Sequence, residues 1–557
     1  MLDRLDHALR ARPERPAVLT ATRTGATRTA ATRGELAELA DAFAAALYAR
    51  GLRAGDTVGV AVRPGPRALA VLLALWRLGL RGAVLDPGAG PDVLRARLAS
   101  ARPALVLADA AAQAVAGWAR PLARRAAGLE LPELAGLGAP VATVGRRLPG
   151  CAPALDLRAA RVGVPSRFAG GGDADAVIVF TSGTTSRPRA VVHTRASLAA
   201  GMETVSALFS PGPGATWASS TATEPVLGGT FFVLVPALVR GAPVALPARS
   251  PRVLARQLAR LEPRDTYLTP PQLRDALRAG ARHRGRVWTG SAPASAELLG
   301  RVRESGADEA WGVYALTELF PAAAVESREK AAHEGPGDLV GAPLPGVRAE
   351  CGADGELLLT GPGARHRYLG EDPDPWVRTG DRGRLDGAGR IVLEGRAKDM
   401  VLRRAENIYP GLYEPALHVP GVELALLVGV PADAGDQHGD RHGPRYGDER
   451  LVAVVQPCHG AAEPALRSAL AGPLRRMGTA VPDALLFARI PLSGRSRKPD
   501  RAATAALAAH RLGSGSWPGP WSGPGSDSGS GSGSGSSGPG SNSDSGSNPA
   551  RNGAPRP

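Results

Sequence analysis

The chain has 557 residues, 43% of them apolar, and a formal net charge of +15. That length exceeds what one hydrophobic core fills, so at least two domains are expected, and the arginines are scattered through Ala-, Gly- and Pro-rich sequence with no basic run interleaved with aromatics, which argues against a nucleic-acid partner. Cys151, Cys351 and Cys458 have no Cys-x-x-Cys spacing and leave an odd thiol, which argues against a disulfide framework or a zinc site and predicts reduced structural thiols.

In chain order, the opening Met1-Leu-Asp-Arg-Leu-Asp-His7 alternates charges and lacks an apolar signal core, so the cytoplasm is the expected location. Leu36, Leu39, Phe43 and Leu47 recur at helical spacing, Gly51 and Gly55 end that helix, and Val58-Gly-Val-Ala-Val62 reads as a strand. A helix over 68–80, a strand over 83–85, a helix over 92–100 and a strand over 104–109 continue the alternation, which predicts an α/β fold with mostly parallel sheets. The longest apolar stretches, 68–85 and 231–246, are broken by Arg77 and Arg240, so no membrane span is expected. Further strands are predicted at 176–180 and 266–268, and shorter, more antiparallel ones at 355–359 and 390–394. Beyond about residue 398, the runs 422–430, 451–456, 464–477 and 485–490 supply a small α+β domain. From Gly513 onward Gly, Ser, Pro and Asn dominate, and too little apolar surface is available to offset ordering entropy, so a disordered tail is expected.

The candidate chemistry lies in four separated segments. Directly after the strand at 176–180 comes Thr181-Ser-Gly-Thr-Thr-Ser-Arg-Pro-Arg189, in which Thr181, Ser182, Thr184 and Thr185 supply hydroxyls, Gly183 permits close backbone approach and Arg189 adds charge. Such a set suits a polyphosphate, although it is not the Walker pattern. Next are the turn Gly290-Ser291-Ala292-Pro293 and, about twenty residues on, Tyr314-Ala-Leu-Thr317-Glu318. Taken alone, the Thr–Glu pair also fits a helix N-cap with a first-turn acid. Trp376-Val-Arg-Thr-Gly-Asp381 leads into Gly395-Arg396-Ala-Lys398-Asp399 and Asn407-Ile-Tyr-Pro410, with Glu414 beyond. The last segment is Ile490-Pro-Leu-Ser-Gly-Arg-Ser-Arg-Lys498-Pro-Asp-Arg501. Among 67 basic residues only Lys330, Lys398 and Lys498 are lysine, so a lysine at any one named position has odds of roughly 1 in 190 by composition. Retained lysines mark sites where a compact ammonium is not replaceable by a planar guanidinium.

In this order the segments resemble the adenylate-forming superfamily: acyl-CoA synthetases, peptide-synthetase adenylation domains and luciferases. The resemblance implies ATP-dependent activation of a carboxylic acid to an acyl-adenylate, with Mg²⁺, followed by transfer to a thiol of coenzyme A or of a carrier-protein phosphopantetheine. It implies a large domain over 1–397, a small mobile lid over 398–511 and a tail over 512–557. By the same resemblance the loop 181–189 binds phosphates, and Gly290, Ser291, Ala292, Pro293 and Tyr314 line the adenine pocket. Thr317 contacts the phosphates, Glu318 holds the metal, Asp381 holds the ribose hydroxyls and Arg396 contacts the nucleotide. Lys398 is the hinge, and Lys498 is the catalytic lysine on the substrate carboxylate and α-phosphate. The chain departs from the family pattern at Ser186, Arg189, Ala190, Ala315, Arg404 and Ala405, where the family has glycine or, at 189, lysine. Two alternatives are carried: a relative that closes a β-hydroxy acid to a β-lactone, to whose divergent branch the unusual run Arg495-Ser-Arg-Lys498 would belong, and a degenerate homologue that binds nucleotide or acyl ligand without turnover, motivated by Ser186, Ala190, Ala315 and Ala405 in place of glycines. The acid pocket is expected over 217–232, where Glu224 stands and no histidine occurs.

Overall fold

The computed structural model describes residues 1–63, 65–86, 90–127, 131, 133–165, 171–181, 189–208, 217–219, 233–403, 406–431, 449–493 and 497–512. The tail, the loop 182–188, most of the expected acid pocket and the Arg404–Ala405 pair lie outside these residues. Residues 1–521 cluster as one compact unit.

Local signals explain the first elements. Thr32 caps the helix Arg33–Ala49, accepting from the Glu35 amide while the Glu35 carboxylate accepts from the Thr32 amide at 2.8 Å. This reciprocal box satisfies two otherwise orphaned donors. The helix Pro66–Arg77 is buried from Ala68 to Arg77, and Trp76 within it donates to the Ala176 carbonyl at 3.3 Å. Arg77, read as a break in an apolar run, is indeed buried, and its guanidinium is neutralised by Asp41 and by Asp6 at 3.0 Å. A buried arginine is costly when nothing pairs its charge, and these carboxylates pair it.

Two large sheets flank this helical layer. In the seven-stranded sheet, Asp175–Phe180, Arg81–Val84, Thr57–Ala61, Leu105–Asp109 and Val141–Val144 run parallel in that spatial order. Ala190–Thr194 and Arg367–Tyr368 extend it antiparallel. In the thirteen-stranded sheet, Pro16–Ala21, Val244–Leu246, Trp217–Ser219, Asp265–Tyr267, Arg286–Thr289 and Glu309–Tyr314 form a parallel block. From Ala323–Glu326 through Asp338–Pro343, Ile391–Arg396 and Val377–Leu385 the pairing is antiparallel. The expected parallel order therefore holds for the parts built from β–α repeats. One core reaches from Leu5, Phe43 and Trp76 to Val177, Trp288, Val313 and Phe320, so both sheets share it.

The later elements form a three-stranded sheet of Val422–Pro431, Glu449–Pro457 and Ala484–Phe487. Side chains of the first strand alternate between two cores. Ala425 and Leu427 meet Leu466, Leu470 and Leu474 of the helix Glu463–Arg475, while Leu426, Val428 and Val430 meet Ala508 of the helix Arg501–Leu512. Period-two alternation thus covers both faces. Among the described residues no helix is long and apolar enough to cross a membrane. All three cysteines are free thiols; Cys151 is buried, and Cys351, although exposed, donates from Sγ to the Gly383 carbonyl at 3.4 Å.

Candidate functional site

The strand Asp175–Phe180 and its hairpin partner Ala190–Thr194 bring the two ends of the phosphate-loop segment together. Phe180 pairs with Ala190, and the Thr181 amide donates to the Arg189 carbonyl at 3.0 Å. Ser182, Gly183, Thr184 and Thr185 lie between these ends, outside the described residues. The segment leaves from the C-terminal end of a strand in a parallel block, where ligand crevices form in α/β sheets. The Arg189 guanidinium sits 3.5 Å from the centroid of the Tyr368 ring and 3.7 Å from the Glu371 carboxylate.

Glu309–Tyr314 carries the second set. At its end the Tyr314 hydroxyl donates to Asp381 Oδ2 at 2.7 Å, while Arg396 Nε donates to Asp381 Oδ1 at 2.9 Å. Asp381 is 6% exposed and lies within the strand Val377–Leu385. Burial, and then the Asp381 charge, push the Tyr314 hydroxyl well above its ordinary pKa, so it remains a proton donor.

Thr317 and Glu318 lie in a bend and not at a helix start, which removes the N-cap alternative. The bend is held from three sides. The Arg365 amide donates to the Glu318 carbonyl at 2.6 Å, Leu319 bridges Ala364, and the Tyr368 hydroxyl donates to Glu318 Oε1 at 3.0 Å. Beneath it, His193 Nε2 is 2.7 Å from the Thr317 carbonyl and His193 Nδ1 is 3.3 Å from Ser197 Oγ. A carbonyl only accepts, so the proton is on Nε2, and Nδ1 shares the Ser197 hydroxyl with the Thr194 carbonyl, which lies 3.2 Å from it. Burial pushes His193 down to about 4, and does the same to His283.

Those two imidazoles make stability pH-dependent. Between about pH 6.5 and 4 the unfolded chain binds protons that the native state refuses, so the contribution of these two groups to stability is lost as the pH drops through that window. Each contributes on the order of 3 kcal/mol over the full window. Urea unfolding at pH 7 and pH 5 is expected to show this loss, reduced in His193→Gln; equal stability at the two pH values would contradict it.

The turn Gly290–Pro293 packs against the same strand. A Cβ at Gly290 would stand 3.1 Å from the Val313 carbonyl oxygen, Ser291 has φ +69°, and its hydroxyl is 3.4 Å from the Tyr267 hydroxyl. Trp288 and Trp311 stack at 5.2 Å between the adjoining strands. A left-handed serine costs backbone energy and persists where its surroundings over-determine it.

Lys398 lies exposed on the short turn Ala397–Asp399. Lys498 lies exposed on the hairpin Leu492–Ser493 with Lys498–Pro499, whose neighbouring Arg497 is bonded to Asp275 of the helix Pro270–Arg278. Arg278 of that helix reaches Glu423 at 3.1 Å, and burial lowers the neighbouring Arg274 to about 10. The structure therefore bonds Tyr314, Asp381 and Arg396 directly and gathers Arg189 and Glu318 around Tyr368. Lys498 lies outside these groups, next to Arg497, which is tied to Asp275 on a different helix.

A family model described as AMP-binding enzyme matches residues 5–369. The chain belongs to the AMP-binding enzyme family. With it the chain falls in the adenylate-forming superfamily and is an AMP-forming ligase of that kind. The chain is 29% identical over 430 residues to a feruloyl-CoA synthase of an Amycolatopsis species, covering 72% of this chain and 81% of that one. It is likewise 29% identical over 453 residues to an olefin beta-lactone synthetase of Stenotrophomonas maltophilia, covering 71% and 78%. Among solved structures, the amide bond synthetase McbA from Marinactinospora thermotolerans matches with TM-score 0.70 at 23% identity, covering 91% of this chain and 99% of that one. The anthranilate CoA ligase AuaEII in complex with anthranoyl-AMP matches with TM-score 0.71 at 16% identity, covering 92% and 97%.

Within this AMP-binding enzyme, sequence reasoning passes over His193, Arg365 and Tyr368. Each acts on the Thr317–Glu318 bend from elsewhere in the chain, and the Arg-His-Arg-Tyr368 run carries no periodicity that would single it out. Lys330, unassigned from sequence, is 8% exposed, pairs with Asp338 and donates to the Leu339 carbonyl at 2.8 Å. A compact ammonium fits that confined pair of acceptors.

Proposed function

We propose that this family member uses ATP to convert a carboxylic acid into an acyl-adenylate, releasing pyrophosphate, and then passes the acyl group to a thiol of coenzyme A or of a carrier protein in the cytoplasm. The observation that carries the proposal is the convergence of Tyr314 and Arg396, from two segments, on the one buried carboxylate of Asp381. An acceptor-only group so placed suits the two vicinal hydroxyls of a ribose. The loop from Thr181 to Arg189 would hold the phosphates, and Gly290 to Pro293 with Tyr314 would line the adenine pocket.

Mg²⁺ fits the donor set. Among the described residues no group of three or more His, Cys, Asp or Glu could hold a metal, and this ion needs only one or two carboxylates plus substrate phosphates. Glu318 would hold it, and the bound cation supplies charge neutralisation at the phosphates. A substrate carboxylate oxygen then attacks the α-phosphorus, and the bond from that phosphorus to the pyrophosphate oxygen breaks. Thr317 and Arg189 orient the leaving phosphates, and Lys498 offsets charge on the carboxylate and α-phosphate. Residues 398–511 act as a lid that turns about Lys398 on the 1–397 domain, withdrawing Lys498 to admit the thiol.

ATP–pyrophosphate exchange across a panel of carboxylic acids, followed by product analysis with and without coenzyme A, tests this. Exchange dependent on one acid class and an acyl-thioester product are expected. Absence of exchange across the panel would leave a non-catalytic binding protein. A β-lactone formed from a β-hydroxy acid without thiol is the second reading, favoured by the extent of the match to the olefin beta-lactone synthetase.

A further inference from the structure

The geometry points to Tyr368 as a positioning residue that couples the carboxylate of Glu318 to the cation closing the phosphate loop. This inference rests on the proposed roles of Glu318 and of the loop ending at Arg189. Tyr368 is 5% exposed and sits on the two-residue edge strand Arg367–Tyr368, paired with Val191 just beyond the loop. Its two ends do different things. The hydroxyl donates to Glu318 Oε1 at 3.0 Å, which fixes one carboxylate oxygen. The ring lies 3.5 Å from the Arg189 guanidinium and 4.5 Å from that of Arg365.

Neither end is accounted for by packing alone. Arg189 is about half exposed, and a long side chain in that setting loses rotamer freedom when it is held in place. An aromatic face offsets that loss by cation–π attraction. Arg365 is itself fixed from behind, its guanidinium donating to the carbonyls of Asp374 at 2.8 Å and Trp376 at 3.2 Å. Its amide holds the Glu318 carbonyl. The segment 364–369 therefore grips the Glu318 bend and the loop exit at once, and Tyr368 is the side chain common to both. The hydroxyl serves the metal carboxylate and the ring serves the phosphate-binding cation, so the two functions separate by substitution.

The test is calorimetric titration of ATP into the full chain over a series of Mg²⁺ concentrations, with thermal unfolding as a check on the fold. Tyr368→Phe keeps the ring and is expected to raise the Mg²⁺ concentration at half-effect about tenfold, with metal-free ATP affinity within about twofold of the parent. Tyr368→Leu is expected to raise that midpoint and also to weaken metal-free ATP binding by about threefold to tenfold. Glu318→Gln is the reference. If it shifts the Mg²⁺ midpoint and Tyr368→Phe does not, the coupling is wrong while the metal assignment stands. If Glu318→Gln shifts nothing, both the metal assignment and the coupling fall.

Discussion

Lys498→Ala is expected to lower acid-dependent ATP–pyrophosphate exchange by about 10²–10³-fold while ATP affinity stays within about threefold. The separation follows from where the residue sits. Lys498 is on an exposed hairpin outside the Tyr314–Asp381–Arg396 cluster, so nucleotide capture by the proposed ribose and phosphate groups does not depend on it. Its charge matters when negative charge gathers between carboxylate and phosphate in the transition state, an interaction absent from simple binding. Lys498→Arg is expected to be a poor rescue, because a planar fork replaces a compact ammonium. Exchange at the parental rate in Lys498→Ala would refute the assignment.

Arg501→Ala is expected to destabilise the part of the chain spanning residues 401–512 by about 3 kcal/mol. Arg501 donates to both oxygens of Glu414, at 2.7 and 3.1 Å, and lies 3.3 Å from Asp399. Burial alone would lower the pKa of this guanidinium, but the two carboxylates outweigh it and raise it. Glu414 in turn accepts from the Leu427 amide at 2.8 Å, so its removal or isolation reaches the central strand Val422–Pro431. Deleting the cation leaves the largely buried carboxylates of Asp399 and Glu414 without their counter-charge. Differential scanning calorimetry should show a new early transition, and an unchanged profile would exclude this role. Because Asp399 follows the proposed hinge Lys398, the same variant is expected to disturb lid motion.

Much of the α/β framework is legible from local pattern. Leu36, Leu39, Phe43 and Leu47 at helical spacing, with Gly51 and Gly55 after them, give the helix Arg33–Ala49 to within a few residues. Asp381, Tyr314 and Arg396 are legible because each stands in a recognisable motif, although their common hydrogen bonds are not. What stays hidden depends on chain crossings. His193 supports a carbonyl 124 positions away and Tyr368 a carboxylate 50 positions away. Neither contact leaves a trace in spacing or composition. The mixed character of the thirteen-stranded sheet is likewise a matter of connection, since 355–359 and 390–394 read as strands but not as an extension of the parallel block.

The scarcity of lysine has a practical side. Lys330 is enclosed by Asp338 and the Leu339 carbonyl, whereas Lys398 and Lys498 are exposed. An amine-selective reagent therefore finds two accessible side chains in the described structure, one at the proposed pivot and one at the far end of the segment expected to swing. The native protein thus carries its own pair of attachment points for distance measurements by fluorescence or cross-linking, with no residue engineered in to place the probes.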